Sequence, residues 1–406
     1  MLTPTAPFTG RKTIADHWSV CAALWLMFAF SSFVVIEPAP YDVIAMLLFV
    51  VVFALGLPIP RAIALPILAW VVFLLGNTFA SMASDDPVAT VKSLATRFYM
   101  IATWLMLTAL IANGGQRVIT SIWSGWMLAG VVAVVLGVGT YLGFIPYTEL
   151  FTAFGRAKGA FKDPNVYGPF LVPIALYCLA RLEDTRGLKQ LMFSFFFAFF
   201  TIGTVLGFSR GAWLDFAVAI TLFLGIRLLT SRSNRQYLRI FFVIIFLVIS
   251  VFGLLAAALS NEQVGKMMET RAQLQSYDTD QRFVKQRMAI EEIFVHPVGI
   301  GAGMGEAKFG LVPHNVYLQI FSESGWIGGL GFLALIVLTI FASLKVIRDP
   351  DRRSTTVIVA FACTIGVLVQ SLFIDSTHWR HLYVLLAFLW GAILSKNPAN
   401  NSAIIH

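Results

Sequence analysis

The residues best suited to chemistry in this sequence are arginines and one histidine. Arg210 stands in the tight turn Gly207-Phe208-Ser209-Arg210-Gly211, Arg282 and Arg287 follow later in the chain, and His314 precedes an apolar run. A guanidinium group binds phosphate through paired hydrogen bonds and keeps its proton at neutral pH. An imidazole accepts a proton near neutral pH. These residue types suit the binding of a multiply charged phosphate ligand and the removal of a proton.

The elements around these residues must position them. Pro313 breaks a loop, and the apolar pattern after it predicts a helix that ends near Gly325 and carries His314 at its N-terminus. A helix N-terminus binds anions and favours the neutral, proton-accepting form of a histidine. Residues 280–294 have the pattern of an amphipathic helix. The alternative for any single arginine is contact with lipid headgroups, and for the histidine a polar surface position.

The composition is that of a membrane protein. The chain has 406 residues, of which 58% are hydrophobic and 12% charged, whereas soluble domains are about 45–50% apolar and about 25% charged. The apolar runs predict an all-α integral membrane protein with about 12 transmembrane helices. The expected spans are 18–36, 42–57, 62–80, 94–112, 119–143, 166–181, 188–207, 211–230, 238–259, 326–346, 355–374 and 379–395.

The basic residues set the expected orientation. Lys and Arg cluster in alternate short loops, which the positive-inside rule assigns to the cytoplasm together with both termini. Residues 1–406 then form a single polytopic domain, with outer loops at 144–165 and 260–325, the second carrying short helices. The basic loops between the apolar runs account for the net charge of +8, so this charge does not indicate a nucleic-acid partner. Several cations nevertheless fall outside: Arg156, Lys158, Lys162, Arg210, Lys266, Arg271, Arg282, Lys285, Arg287, Lys308 and Arg380.

Several kinds of site are not indicated. No His and Cys cluster has metal-ligand spacing, and no Walker or GxSxG motif occurs. The glycine-rich turn at 299–303 is too weak a signal for a dinucleotide site. Few ionisable residues fall in the middle of a span, where an ion-coupled transporter usually carries acidic groups. Neither a metal nor another cofactor is expected.

The motifs resemble those of the O-antigen ligase and polymerase superfamily. The matching pieces are residues 158–165 (KGAFKDPN), the turn Ser209-Arg210-Gly211, residues 282–289 followed by His296-Pro297 and Gly299-Ile300-Gly301, the pair His314-Asn315 with Glu323, and Asp375 with Arg380. Together they cover about 160–381. Their spacing is most similar to that of the lipopolysaccharide ligases.

The resemblance implies a metal-independent, inverting glycosyltransferase on the periplasmic side of a bacterial inner membrane. The donor would be a glycan on undecaprenyl diphosphate, and the acceptor a sugar hydroxyl of lipid A–core. The implied catalytic residues are His314 as base, with Arg210 and Arg282 stabilising the departing diphosphate. The residues expected to bind substrate are Arg287, Arg156, Lys162, Asn165, Asn315, Asp375 and Arg380.

Three other functions stay open at this point. Members of the superfamily also polymerise O-antigen repeats or glycosylate proteins, although the protein-glycosylating members tend to be longer. A lipid-linked sugar flippase or secondary transporter is the alternative that is not an enzyme. All of these functions share membrane lipids as partners.

Overall fold

A computed structural model of the protein describes residues 14–82, 84–231, 233–234, 237–245, 249, 253, 262–272, 281–310 and 312–395. Within them the chain is nearly all helical, as the apolar runs predict, and its helices surround one apolar core. The helices are α1 (Trp18–Ala29), α2 (Pro40–Ala54), α3 (Ala64–Ser81), α4 (Pro87–Tyr141), α5 (Thr148–Phe151), α6 (Pro164–Asp184), α7 (Leu188–Leu206), α8 (Arg210–Thr230), α9 (Glu262–Ala272), α10 (Gln281–Val295), α11 (Gly305–Phe309), α12 (Val316–Arg348), α13 (Thr355–Gln370) and α14 (Arg380–Leu394).

Six helices of the described part are long and apolar enough to cross a membrane: α3 with its preceding turn, α4, α6, α7, α8 and α12. The apolar helices α1, α2, α13 and α14 are shorter. At about 1.5 Å per residue, their 12 to 16 residues fall short of a hydrocarbon core about 30 Å thick. The six long apolar helices support the predicted membrane-spanning character. The count of twelve spans stays a prediction. The expected span 238–259 lies mostly outside the described residues.

Helix α4 is two antiparallel helices joined at Gly115. Its backbone is non-helical there, with φ 53° and ψ −136°. Glycine adopts this conformation readily because it has no Cβ atom. Tyr99, in the half of α4 before Gly115, donates a hydrogen bond to Asp42, while Tyr141, at the end of the other half, packs against Phe208. Both partners belong to the same end of the bundle, so the chain reverses at Gly115. This reversal fits the loop expected between spans 94–112 and 119–143.

The two ends of the bundle differ in what they carry. The end where α6, α8, α12 and α14 begin also holds the connection at 144–163 and the described residues 262–272, 281–310 and 312–315, and we call it the loop end. The opposite end, which we call the basic end, is rich in cations: Arg61, Arg117, Arg181, Arg186, Lys189, Arg227, Arg239, Lys345, Arg348, Arg352 and Arg353. This asymmetry is the one that the positive-inside rule uses.

The core lies where α4, α6 and α14 meet. Trp123 stacks between Tyr177 and Phe388, with ring centroids 4.6 and 4.9 Å away, and against Trp126 at 5.6 Å. Such aromatic pairs contribute about 0.5–1.5 kcal/mol each beyond the area that they bury. Helix α14 is buried along nearly its whole length. These packed helices form a rigid frame behind the loop end.

The connection 144–163 contains a small element that the apolar pattern does not predict. Strands β1 (Thr152–Ala153) and β2 (Arg156–Ala157) pair antiparallel. The two residues between them, Phe154 and Gly155, both have positive φ, as a two-residue type I′ hairpin turn requires. The hairpin presents Arg156 towards the start of α6 and the end of α7.

Candidate active site

The turn between α7 and α8 fixes the backbone at Arg210. Phe208 is buried with φ 45°, and Ser209 caps α8 by accepting a hydrogen bond from Ala212 N at 3.4 Å. A serine at this position satisfies a backbone donor that the helix leaves unpaired. Arg210 is the first residue of α8, and its side chain is half-buried at the loop end. The turn expected from the Gly-bounded sequence is therefore present.

Arg156 joins three segments at this turn. It is 5% exposed, its Nε donates to the Gly207 carbonyl at 2.8 Å, and its Nη2 donates to Asn165 Oδ1 at 2.9 Å. Asn165 lies in the first turn of α6, where Asp163 Oδ1 accepts its backbone N–H at 2.8 Å. Arg156 and Asn165 are thus brought together beside the Arg210 turn. Their contacts position the turn, and a substrate-binding role for either residue remains a prediction.

Lys162 lies at the edge of this region. Its Nζ is 2.8 Å from Glu37 Oε1, and the two side chains are 52% and 50% exposed. Exposed ion pairs of this kind contribute about 0–1 kcal/mol. A phosphate could therefore replace the glutamate at little cost, so the expectation that Lys162 binds substrate stays open.

His314 lies immediately before α12, as Pro313 and the apolar pattern predict. Asn315 caps this helix: its Oδ1 accepts from Leu318 N, and its Nδ2 donates to the Leu372 carbonyl, each at 3.1 Å. His314 has φ 51°, a left-handed conformation that histidine adopts more often than most residues. Such strain is concentrated at functional sites. The half-buried imidazole is held at the loop end by a locked backbone.

Helix α13 connects His314 with Arg210. The α12 residue Val316 donates its N–H to the Ser371 carbonyl at 2.9 Å. The neighbouring Gln370 packs so closely on α8 that a Cβ at Gly211 would come within 2.8 Å of its Nε2. His314 is two residues from Val316, and Arg210 directly precedes Gly211. Both candidate catalytic residues therefore flank the same C-terminal end of α13.

Asp375 lies in the loop between α13 and α14. Its Oδ1 accepts from Thr377 N at 2.8 Å and from Thr377 Oγ1 at 2.6 Å, and its Oδ2 is 3.6 Å from His378 Nδ1. Burial raises the pKa of this carboxyl, but hydrogen bonding and charge from His378 and the Thr377 bonds outweigh it, so the pKa falls to about 2. The ionised carboxylate thus orders this loop, with which Asn315 is in contact.

This pKa predicts a stability loss in acid. Because the folded pKa lies below the ordinary 3.8, ionised Asp375 stabilises the fold above about pH 4, and the contribution is lost as pH falls through about 2. Thermal unfolding in detergent should show this loss in the native protein and not in Asp375→Asn. The exposed Asp85→Asn is the matched control and should keep the native profile. An Asp375→Asn profile parallel to the native one contradicts this role.

Arg380 is held by a carboxylate. Its Nε and Nη2 donate to the two oxygens of Asp42 at 2.7 and 2.6 Å, and Tyr99 donates to the same carboxylate at 2.7 Å. A cavity of about 40 Å³, lined by Arg380, Tyr41 and His381 among others, lies beside this cluster. The two hydrogen bonds of the Arg380 guanidinium thereby join α14 to α2. The sequence alone did not indicate that Arg380 and Asp42 are in contact.

Helix α10 confirms the helix that the amphipathic pattern of residues 280–294 predicts. It packs on α12, burying Ala289 and Ile293 and bringing Phe294 within 6.1 Å of Trp326 between ring centroids. Arg287 is exposed on this helix. The side chain of Arg282 lies outside the described residues. Its expected role therefore rests on the sequence motif alone.

A buried ion pair at the loop end escaped the sequence analysis. Glu323 in α12 is 1% exposed and pairs with Arg97 of α4, which is 2% exposed. The glutamate also accepts backbone N–H groups from Gly303 at 3.0 Å and Gly305 at 3.3 Å, and the Gln319 amide at 3.2 Å. An arginine inside an apolar run requires such a partner. The need of Arg97 for a buried carboxylate was therefore the signal in the sequence that could have indicated this ion pair.

The glycine-rich turn at 299–303 packs against another part of the chain, helix α12. Gly299, Gly301 and Gly303 all have positive φ, and the turn lies on the kink of α12 at Gly325. A Cβ at Gly299 would come within 2.5 Å of Gly325 N, so only glycine fits. Helix α12 therefore continues beyond Gly325, with a break, instead of ending there as expected. The turn is hydrogen-bonded to the kinked part of α12, because Ile300 N donates to the Ser322 carbonyl at 2.9 Å and Gly301 N to the Glu323 carbonyl at 3.0 Å.

These features define a multi-pass helical membrane protein whose loop end carries arginines and a histidine on locked helix starts. Residues 195–333, a third of the chain, match the family model described as O-antigen ligase. The match confirms the resemblance to the O-antigen ligase superfamily. It includes Arg210 and His314, whereas Arg156 and Asp375 lie outside it. No curated protein matches the chain. Among the described residues, no group of three His, Cys, Asp or Glu could hold a metal ion.

Proposed function

We propose that this protein is an inverting, metal-independent glycosyltransferase of the O-antigen ligase type. The observation that carries the proposal is the placement of His314 and Arg210 at two helix starts that flank the same end of α13. The family match supports it, since that family covers O-antigen ligases and polymerases. The donor is a glycan on undecaprenyl diphosphate, and the acceptor is a hydroxyl of lipid A–core.

The reaction exchanges one carbon–oxygen bond for another. The acceptor oxygen attacks the anomeric carbon from the face opposite the diphosphate, and the bond between that carbon and the diphosphate oxygen breaks. His314 takes the proton from the attacking hydroxyl as the new bond forms. Undecaprenyl diphosphate leaves with the electron pair. Attack from the opposite face inverts the anomeric configuration.

Arginines supply the positive charge for the leaving group. The departing diphosphate gains negative charge as its bond to carbon breaks, and fixed donors stabilise charge that develops in the transition state. Arg210 is anchored at a helix N-terminus, which adds its own positive field. Arg282 and Arg287 on α10 are the further candidates. Arg156, Lys162, Asn165, Asn315, Asp375 and Arg380 then bind substrate or hold the segments that do.

The active site in this proposal faces the periplasm. The basic end of the bundle carries most cations of the short connections and is assigned to the cytoplasm with both termini. The loop end, with His314, then lies at the outer surface of the inner membrane. Lipid A–core and a preloaded lipid donor are both amphipathic, so each can approach this surface from the membrane.

An Arg210→Lys substitution tests the role of the guanidinium. Lysine keeps the charge but loses the two-pronged geometry that matches a diphosphate. We expect the turnover rate to fall by about 10²-fold or more, in the range seen when one transition-state donor is lost. Arg348→Lys, at the basic end, is the control and should retain native turnover. Equal rates for the two variants would remove Arg210 from the mechanism.

The acceptor is tested by mixing purified protein with donor and lipid A–core and separating the products on a gel. A ligase produces lipid A–core that carries glycan. A polymerase leaves lipid A–core bare and lengthens the donor glycan, and a protein O-oligosaccharyltransferase modifies only an added acceptor protein. The second or third result would replace the ligase assignment.

A transporter is the competing proposal of a different class. The observation in its favour is Asp215, a fully buried carboxyl in α8 for which the described residues provide no hydrogen-bond partner. Buried carboxyls of this kind carry protons in secondary transporters. Glycan transfer in detergent, where no gradient exists, would exclude transport as the sole activity. Movement of the donor that occurs only across sealed vesicles would favour the transporter.

A further inference from the structure

A second cavity, lined by both charged and apolar side chains, lies at the basic end, about 30 Å along α6 from the candidate active site. This distance follows from the 21 residues of α6 at about 1.5 Å each, since Asp163 precedes the helix and Thr185 follows it. The cavity measures about 590 Å³, within the range of small-ligand sites. It is lined by Leu182, Glu183, Thr185, Arg186, Gln190, Ser194, Arg239, Phe242 and Val243.

The acidic group of this cavity is already neutralised. Glu183 Oε2 accepts from Arg227 Nε at 2.8 Å and also pairs with the terminal nitrogen of that guanidinium. Arg239 donates from Nη1 to the Glu183 backbone carbonyl at 3.0 Å, so its guanidinium is fixed at the cavity wall. Arg239 also interacts electrostatically with Glu183 and with the neighbouring Asp184, and Arg227 and Arg181 offset these two carboxylates. Four guanidinium groups, those of Arg181, Arg186, Arg227 and Arg239, thus stand against two carboxylates in this region. The lining as a whole attracts an anion.

The cavity combines this charge with neutral hydrogen-bonding groups. Arg186 is exposed, and within the described part of the chain no hydrogen bond or ion pair occupies it. Gln190 and Ser194 add an amide and a hydroxyl that suit a polar headgroup, while the Thr185 hydroxyl donates to the Arg181 carbonyl at 2.8 Å. Two guanidinium groups lining one cavity, with neutral polar groups beside them, suit a phosphate ester.

The surroundings of the cavity are those of a lipid site. Phe242 in its wall is 64% exposed, and on α7 nearby Leu191 is 67% and Phe195 61% exposed. Apolar side chains at such exposure beside this cavity suit acyl chains that extend from a bound headgroup. Basic cavities between helices at the cytoplasmic face bind anionic lipid headgroups in membrane proteins.

We propose that this cavity binds the phosphate headgroup of an anionic phospholipid from the leaflet at the basic end. Arg186 and Arg239 contact the phosphate, the neutral polar groups contact the remainder of the headgroup, and the acyl chains lie against the exposed faces of α7 and residues 237–245. The bound lipid links the α6–α7 connection with residues 237–245, so it stabilises the bundle at a point remote from the candidate chemistry.

The test uses purified full-length protein in detergent, phosphatidylglycerol and phosphatidylcholine with identical acyl chains, and inorganic phosphate. Bound lipid is counted by native mass spectrometry, and the unfolding midpoint is measured by heating. Phosphatidylglycerol should remain bound and raise the midpoint, whereas phosphatidylcholine and inorganic phosphate should not. Arg186→Gln should weaken phosphatidylglycerol binding by about fivefold, the effect of one basic residue near an anionic lipid.

The matched control is Arg348→Gln, which removes an exposed charge from the basic end outside the cavity and should bind phosphatidylglycerol as the native protein does. If both variants weaken phosphatidylglycerol binding equally, the effect comes from general surface charge, and the proposed site is contradicted. Equal binding of the two lipids would overturn the anionic requirement. Equal stabilisation by inorganic phosphate would identify a phosphate site in place of a lipid site.

Discussion

Replacing His314 with alanine is expected to lower the rate of glycan transfer by about 10²–10⁴-fold, the contribution of a positioned general base. The imidazole lies at a backbone position with φ 51°, directly before the cap of α12, and the Asn315 contacts lock that position. Asn315 caps the helix independently of the imidazole, so the variant should fold and insert normally. The measurement is the initial rate with purified protein, lipid-linked donor and lipid A–core.

His296→Ala is the control for this substitution. His296 is a half-exposed histidine on the same end of the bundle, with its Nδ1 2.5 Å from Glu292 Oε1. It should retain native transfer. If His314→Ala transfers at the native rate with native thermal stability, His314 is not the base.

Substitution of Arg97 by methionine is expected to have the largest effect on stability. Its partner Glu323 is 1% exposed, so the variant leaves a buried carboxylate without its cation. Breaking one side of a buried pair costs about 3–5 kcal/mol of the free energy of unfolding. The same carboxylate holds the glycine-rich turn through Gly303 and Gly305. The measurement is the unfolding midpoint in detergent, together with transfer activity below that midpoint.

A double-mutant cycle isolates the pair. Arg97→Met, Glu323→Leu and the double variant should be non-additive, with the double variant more stable than the sum of the single losses allows. Glu306→Gln, an exposed carboxylate on α11, controls for removal of one negative charge near the turn and should leave the midpoint unchanged. Additive single losses would show that Arg97 and Glu323 stabilise the fold separately.

The helices that position the site were predictable where apolar runs end at strong local signals. The run expected over 211–230 is the helix Arg210–Thr230, because Ser209 provides a cap and a turn precedes it. His314 at a helix start followed in the same way from Pro313. The number of membrane crossings was harder to predict, because an apolar run does not determine whether its helix has 12 or 20 residues.

Long-range pairing is the part that the sequence could not provide. Arg97 and Glu323 are 226 positions apart, and Arg380 and Asp42 are 338 apart. Each residue alone shows only that a buried charge needs a partner. For the same reason, the sequence identified Arg380 and Arg156 as candidate ligand-binding cations but did not reveal that Arg380 contacts Asp42 and Arg156 contacts Gly207 and Asn165. Their substrate-binding roles stay predictions. The hairpin at Arg156 was missed because a two-residue strand has no detectable periodicity.

The most direct test of the proposed chemistry is the stoichiometry of leaving group and product. Purified protein in detergent, with EDTA present, is incubated with undecaprenyl-diphosphate glycan and lipid A–core. Glycosyl transfer by this protein predicts one undecaprenyl diphosphate released for each lipid A–core that gains a glycan, at a rate that EDTA does not change. No release of undecaprenyl diphosphate, with the donor moving only across sealed vesicles, would contradict the account and favour transport.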